Sequence, residues 1–309
     1  QIDEHTGEMM FFNYGEKEPY LNYGVVNARN ELVHYEPIEL PGARWPHDLG
    51  MSEHYCVLHD LPMFFDQEGL RKGQHRLKFH RDVPARFGVI PRMGTNRDVK
   101  WFEGQPCYIL HLSNTYELGD EVIMEGCIQT NPVPDLSALP KEGYARMNAM
   151  LDMHLQETRM HRWRFNLRTG QTREEDLDDE VTEFPMINGR YKGRPSRYSY
   201  NGYMTPGFWL LDGLKKYDLM TGRTQSWRAP EGCYVSETPF APRDGSKEED
   251  DGYLVSFMTN TKTKKAECVV FDAKDITKGP ICQIILPGHM PQGAHAYWMP
   301  ATDINGVSA

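Results

Sequence analysis

The sequence of 309 residues predicts an all-β fold, on three observations: short alternating apolar runs, turn-forming residues at their ends, and a hairpin turn that recurs along the chain. The runs are MMFFNYG, HYCVLHDL, CYILHL, DEVIMEGCIQ, GYLVSFM, AECVVFDA and CQIIL, each bounded by Gly, Pro, Asn or Asp. The turn reads NLRTGQT from Asn166 to Thr172 and DLMTGRT from Asp218 to Thr224, with a related HTGEM from His5 to Met9. Glycine there supplies the positive φ that a tight hairpin needs, and Asn or Asp supplies local hydrogen bonding. Self-similarity at a period of about 50 residues in such a chain predicts the blades of a β-propeller, whose inner strands point at one axis. One domain over residues 1–309 is therefore expected. A single helical excursion is expected within it, from Leu136 to His161, where Ala, Met and Leu recur at spacings of three and four. The methionines of that excursion are read as lining a core or a tunnel rather than a metal site, since flexible thioethers fill apolar gaps.

Composition narrows the function. Hydrophobic residues make up 39% and charged residues 25% of the chain, near globular averages, so a large core is available. No apolar run approaches the roughly eighteen residues that span a bilayer, so no transmembrane segment is expected. The net charge of -10 repels a polyanion, and the basic clusters at Arg71-Lys72 and Lys262 to Lys265 are too short to track phosphates. Nucleic acid is excluded as a partner. The six cysteines form no C-x-x-C pair, which argues against a disulfide framework or a thiolate zinc site and fits a reduced, cytoplasmic protein. The acidic stretches Glu174 to Glu180 and Lys247 to Asp251 read as solvated loops. Nucleotide-hydrolase, serine-hydrolase and zincin motifs are absent.

The repeat also organises the residues that carry chemistry. Glu183 lies 14 residues beyond Thr169 and Glu237 lies 16 beyond Thr221, so the two glutamates occupy matching places in two repeats. Two histidines follow an identical L-P-G, His47 five residues after Gly42 and His295 seven after Gly288, and His111 closes the run CYILH. Neutral imidazoles suit iron, copper or zinc, and inner strands from separate blades would bring all three to one place. His34, His54, His59, His75, His80, His154, His161 and His289 lack this double support and read as surface or packing residues. Glu117 reads as a structural hydrogen-bond partner.

At this point the motifs WPHDLGMSEHYCVLHDLPMFF, RFGVIPR, HLSNTYE, EFPMIN, SETPFAPR and PQGAHAYW stand in the order seen in the carotenoid cleavage oxygenase family, and the chain resembles its lignostilbene dioxygenases most closely. The resemblance runs from IDEHTGEMMFF to HAYWMP. It implies a seven-bladed β-propeller, of which this chain is the larger C-terminal part without the first blades. It implies Fe(II) held by four histidines, with His47, His111 and His295 as three of them and the fourth upstream of Gln1. His5 is not its replacement, because it sits in the turn before Thr6-Gly7. Glu183 and Glu237 are implied to orient ligand rings by accepting their Nδ1 protons, which aims Nε2 at the metal. The activity implied is cleavage by dioxygen of the central double bond of a hydroxylated stilbene, a hydrophobic phenolic alkene, to two aldehydes. Carotenoid or apocarotenoid cleavage is the alternative. The tyrosine and lysine that would bind the substrate's phenol belong upstream of Gln1.

Overall fold

The repeated turn is the simplest structural unit of the chain. In the computed structural model, which describes residues 1–300 apart from 136, 138, 140, 141, 289, 291 and 292, the turn glycines Gly7, Gly170 and Gly222 have φ of 70°, 75° and 72°. Their amides bond the carbonyls of Asp3, Asn166 and Asp218 at 2.8, 2.9 and 2.8 Å, and the side chains of those residues accept from amides within the turn. Asn260 builds the same turn without glycine. It accepts from the amides of Lys262 and Thr263, both at 3.0 Å, and Lys264 takes the left-handed place with φ of 58°.

The chain divides into two compact units. The first comprises Gln1–Pro185, Gly189–Ser196 and Pro206–Trp209; the second comprises Met186–Asn188, Arg197–Thr205 and the chain from Leu210 onward. Unit 1 begins with an antiparallel sheet of β1 (Met9–Tyr14), β2 (Leu21–Val26) and β3 (Leu32–Ile38). Next come β4 (Gly50–Met51), β5 (Tyr55–Asp60), β6 (Met63–Phe65), helix α1 (Gln67–Arg71), β7 (Leu77–Phe79), β8 (Ala85–Pro91) and β9 (Lys100–Gly104). Of these, β4, β5, β8 and β9 form one four-stranded sheet, with β6 and β7 as a separate hairpin. A meander of β10 (Tyr108–Leu118), β11 (Glu121–Gln129), β12 (Thr158–Asn166) and β13 (Thr172–Asp176) completes its sheets, and helix α2 (Gly143–Met150) lies between β11 and β12. Strand β14 (Thr182–Met186) follows. Alternate residues of these strands face inward, so Val57, Phe87, Phe102, Ile109, Met124 and Trp163 fill one core, and Met10, Tyr23, Ile38, Leu58 and Ile90 fill a second.

Unit 2 contains β15 (Tyr198–Met204), β16 (Leu211–Asp218), β17 (Arg223–Arg228), β18 (Cys233–Val235), β19 (Phe240–Pro242), β20 (Gly252–Asn260), β21 (Lys265–Asp272) and β22 (Cys282–Ile285). All pairings are antiparallel: β16 joins β15 to β17, β20 joins β18 and β19 to β21, and β22 is the edge. Its interior is aromatic, with Tyr200 against Phe240 at 5.8 Å between ring centroids and Trp227 against Phe271 at 4.8 Å.

Two expectations need correction. The helix expected from Leu136 to His161 narrows to Gly143–Met150, because from Thr158 the chain pairs with β11, Gln129 opposite Thr158 through Glu121 opposite Asn166. Met160 and Trp163 are buried there and ladder hydrogen bonds replace helical ones, so strand pairing overrides the helical spacing; Leu136, Ala138, Pro140 and Lys141 lie outside the described residues. The acidic stretches are not simply solvated either. Glu174, Glu175 and Asp176 belong to β13 and face Arg162, Arg159 and His161 on β12. Glu249 accepts the amides of Arg197 and Tyr198 at 2.7 and 2.8 Å, and Asp250 pairs with Lys216 at 2.7 Å.

Candidate metal centre

His111 stands where the ladder between β10 and β11 breaks. Register shifts occur between Ile109 and Leu112 and between Leu112 and Asn114, a bulge that turns the intervening residues out of the regular alternation. Gly126 on β11 makes this possible: a Cβ there would lie 2.8 Å from the His111 carbonyl oxygen and 3.0 Å from Leu112 Cα. The His111 Nδ1 meets Glu183 Oε2 at 2.7 Å, the histidine side chain being 15% exposed and the glutamate's 0%. With Nδ1 donating to the carboxylate, the imidazole is held in the tautomer whose Nε2 carries a lone pair directed away from it.

The residue after the glutamate reinforces this arrangement. Phe184 is buried and has φ of 55°, a left-handed conformation that an aromatic side chain rarely adopts. That conformation lets its own amide donate to Glu183 Oε2 and lays its ring 4.8 Å from the His111 ring at 31°. Backbone strain of this kind persists where surrounding packing imposes it.

His47 lies in the loop before β4, and its ring centroid is 5.2 Å from that of His111 at an interplanar angle of 77°. The loop is fixed on both sides. Tyr108 Oη donates to the Trp45 carbonyl at 3.0 Å, and Asp48 accepts from the Leu112 amide at 2.9 Å, the Leu49 amide at 2.8 Å and Gln1 Nε2 at 2.7 Å. Lys192 Nζ donates to the Ser113 carbonyl at 3.3 Å. Burial raises the Asp48 carboxyl's proton affinity, but the Lys192 charge and these hydrogen bonds outweigh it and hold the group below the usual carboxylate range. Burial pushes Lys192 downward, against the attraction of Asp48 and Glu4.

In unit 2, His295 lies beyond β22 with its side chain 62% exposed, and its Nδ1 is 3.5 Å from Glu237 Oε2. Glu237, just after β18 and almost fully buried, also accepts the Ala296 amide at 2.5 Å. Each predicted glutamate thus faces its own histidine. No cluster of three or more His, Cys, Asp or Glu side chains able to hold a metal occurs among the described residues. The donors present still fit one: with metal to nitrogen bonds of about 2.0–2.1 Å, two imidazoles on neighbouring coordination positions have centroids about 5 Å apart, as His47 and His111 do.

Most of the other described histidines have local partners. His54 Nδ1 meets Glu117 at 2.9 Å, and Glu117 also accepts from Ser52 Oγ at 2.7 Å and the His54 amide at 2.8 Å, the structural role expected of it. His161 is buried between Asp176 and Glu174 at 2.6 and 3.4 Å. His34 and His5 bond the carbonyls of Gly94 and Arg190 at 2.9 and 2.8 Å, His75 meets Glu16 at 2.6 Å, and His80 stacks on Phe64. His59 is fully buried edge-on to Phe87 with no hydrogen-bond partner for either ring nitrogen, and burial pushes it down to about 4. His289 lies outside the described residues. Four residues with a part in the site escaped the sequence reading: Phe184, Gly126, Asp48 and Lys192. The available signals were a glycine inside the apolar run DEVIMEGCIQ and an aspartate directly after a candidate ligand.

Comparison with known proteins places these features in a family. The family model described as retinal pigment epithelial membrane protein matches residues 1–300. A carotenoid 9,10(9',10')-cleavage dioxygenase of Crocus sativus is 32% identical over 97% of this chain and 56% of its own length. Lignostilbene-alpha,beta-dioxygenase isozyme III of Sphingomonas paucimobilis is 27% identical over 98% of this chain and 65% of its own. Among solved structures, the crystal structure of Pseudomonas brassicacearum lignostilbene dioxygenase superposes with a TM-score of 0.84 at 25% identity, over 97% of this chain and 65% of that one. Cobalt-substituted Synechocystis ACO gives 0.77 at 23% identity, over 89% and 57%. The chain thus spans a little over half the length of the first of these curated relatives. The likeness to the solved structures makes the fold the all-β propeller that the repeated turns predict. From its first residue to residue 300, the chain belongs to the carotenoid cleavage oxygenase family.

Proposed function

We propose that this chain carries most of the metal centre of an Fe(II)-dependent dioxygenase that cleaves the central carbon–carbon double bond of a hydroxylated stilbene to two aldehydes. In this reading His47, His111 and His295 are ligands, and Glu183 and Glu237 hold the rings of His111 and His295. The observation that carries it is the buried His111–Glu183 pair with a second imidazole, His47, beside it. Ferrous iron, when bound, supplies the redox chemistry that lets dioxygen react with an alkene. The chain's own part is to fix the tautomers of the ligands and exclude water from the His111 side of the site. One oxygen atom enters each aldehyde, so both atoms of dioxygen are accounted for. The stilbene substrate draws on the structural likeness to the Pseudomonas enzyme. Cleavage of a carotenoid or apocarotenoid is the second reading, favoured by the higher identity to the Crocus dioxygenase. Six cysteines without a disulfide support a reducing, cytoplasmic setting, and no described helix is long and apolar enough to cross a membrane.

The test is incubation of the iron-loaded full-length protein with resveratrol, isoeugenol and an apocarotenal under labelled dioxygen. Labelled aldehydes from resveratrol support the stilbene reading. Products from the apocarotenal alone move the assignment to carotenoids, and no product from any alkene ends both.

A further inference from the structure

The bulge in β10 leaves backbone groups beside His111 outside the regular ladder to β11. Two side chains of opposite charge meet the backbone there: the Leu112 amide donates to Asp48 Oδ2 at 2.9 Å and the Ser113 carbonyl accepts from Lys192 Nζ at 3.3 Å. Asp48 directly follows His47, so one carboxylate bonds both the loop that carries one imidazole and the strand that carries the other. Lys192 is itself held in place. Asn114, the next residue of β10, donates to the carbonyls of Tyr191 and Arg194 at 3.1 and 2.8 Å and accepts the Gly193 amide at 3.0 Å.

We propose that Asp48 and Lys192 are positioning residues that clamp the His47 loop to the bulged strand after His111, and so set the separation of the two imidazoles before any metal arrives. The inference rests on reading His47 and His111 as ligands. A carboxylate with several backbone and side-chain donors converging on it is rigid, and partners lying outside the ligand set commonly change metal affinity by about 10–100-fold. Lys192 offsets the cost of burying the Asp48 charge while pinning the adjacent carbonyl.

The experiment is a Co(II) titration of the metal-free full-length protein, read by ligand-field absorption and by dissociation constant. Wild type is compared with Asp48→Ala, Asp48→Asn, Lys192→Met and the control Asp250→Asn, whose carboxylate pairs with Lys216 at 2.7 Å in unit 2. Asp48→Ala is expected to weaken Co(II) by about tenfold or more and to alter the absorption bands; Asp48→Asn, which keeps an acceptor for Leu112, recovers part of the loss. Lys192→Met is expected to show a smaller loss, and Asp250→Asn to lower Tm with wild-type bands. Should Asp48→Ala fail to fold, Asp48→Asn and Lys192→Met carry the test. Wild-type affinity and bands in the Asp48 and Lys192 variants, or changes matched by Asp250→Asn, overturn the inference. A wild-type protein that binds no Co(II) overturns the ligand reading itself, and the inference with it.

Discussion

Unit 1 and unit 2 each contain a histidine whose Nδ1 faces a buried glutamate, and the two pairs are built differently. His111 and Glu183 are 2.7 Å apart, both largely sealed from solvent, on a bulged strand and beside a strained phenylalanine. His295 and Glu237 are 3.5 Å apart, with the histidine mostly exposed on a loop. The pairing motif is the same, but the degree of preorganisation is not. A buried carboxylate in close contact restrains one rotamer and one tautomer, whereas an exposed ring at longer range keeps much of its freedom. The structure therefore ranks the two pairs, and the ranking is open to measurement.

The largest effect is expected at Phe184, which couples backbone conformation to the His111 ring. Phe184→Ala removes a buried aromatic and is expected to cost about 3–5 kcal/mol of stability. Phe184→Gly removes the same ring but suits φ of 55°, so it is expected to be more stable than the alanine variant by about 1 kcal/mol. Denaturant midpoints at constant m-value check both. Equal midpoints for Gly and Ala would mean that the left-handed backbone stores no strain and that unit 1 has no special rigidity at this point.

Acid should also distinguish the units. Unit 1 contains His59, buried without hydrogen-bond partners and pushed by burial from 6.5 down to about 4, while the described histidine of unit 2, His295, is exposed. Above pH 6.5 the His59 imidazole is neutral in both folded and unfolded chains, and its contribution is constant. As pH falls from 6.5 toward 4 the unfolded chain binds a proton that the folded chain refuses, so stability is lost, by about 3 kcal/mol at most. Tm measured from pH 7 to 4 is expected to fall less steeply in His59→Leu than in wild type. Parallel curves would remove His59 as a source of acid lability.

Much of this was legible from residue order, because hairpin turns and strand alternation are local. Asp218-Leu-Met-Thr-Gly222 fixes its own turn through neighbouring amides, and a period of two in GYLVSFM needs no distant partner. The turn at Asn260 was missed because Lys264 occupies a conformation usually given to glycine. The helix expected through His161 failed because residues 158–161 satisfy a three-to-four spacing by coincidence and a strand ladder in fact. Glu183 and Glu237, matched in the repeats, lie beside His111 and His295. Asp48, Lys192 and Gly126 were not legible, since each acts through backbone atoms of a strand far away in sequence, and nothing in their neighbours encodes that strand's bulge.

Removing the Glu183 carboxylate sharpens the comparison at the proposed metal centre. Glu183→Ala leaves a mostly buried imidazole without its carboxylate acceptor, and we expect metal affinity to fall by about 10–100-fold, with stability lowered by about 1–3 kcal/mol. Glu183→Gln keeps an acceptor and should recover part of the affinity. Calorimetric Fe(II) titration under anaerobic conditions provides the measurement. Unchanged affinity in both variants would show that the tight pair is a packing feature rather than a ligand support.

The smallest effect is expected from the matching change in unit 2. Glu237→Ala removes a contact of 3.5 Å to a ring that water already reaches, so solvent takes over the Nδ1 proton at little cost. The loss in Fe(II) affinity should be less than about tenfold. Much of the change in stability should instead come from the Ala296 amide, which the same carboxylate accepts at 2.5 Å and which orders the chain next to His295. Glu237→Gln retains that acceptor and should restore stability ahead of affinity. If Glu237→Ala weakened Fe(II) as much as Glu183→Ala, the exposure of His295 would not describe the metal-loaded protein, and the two pairs would have to be treated as equals.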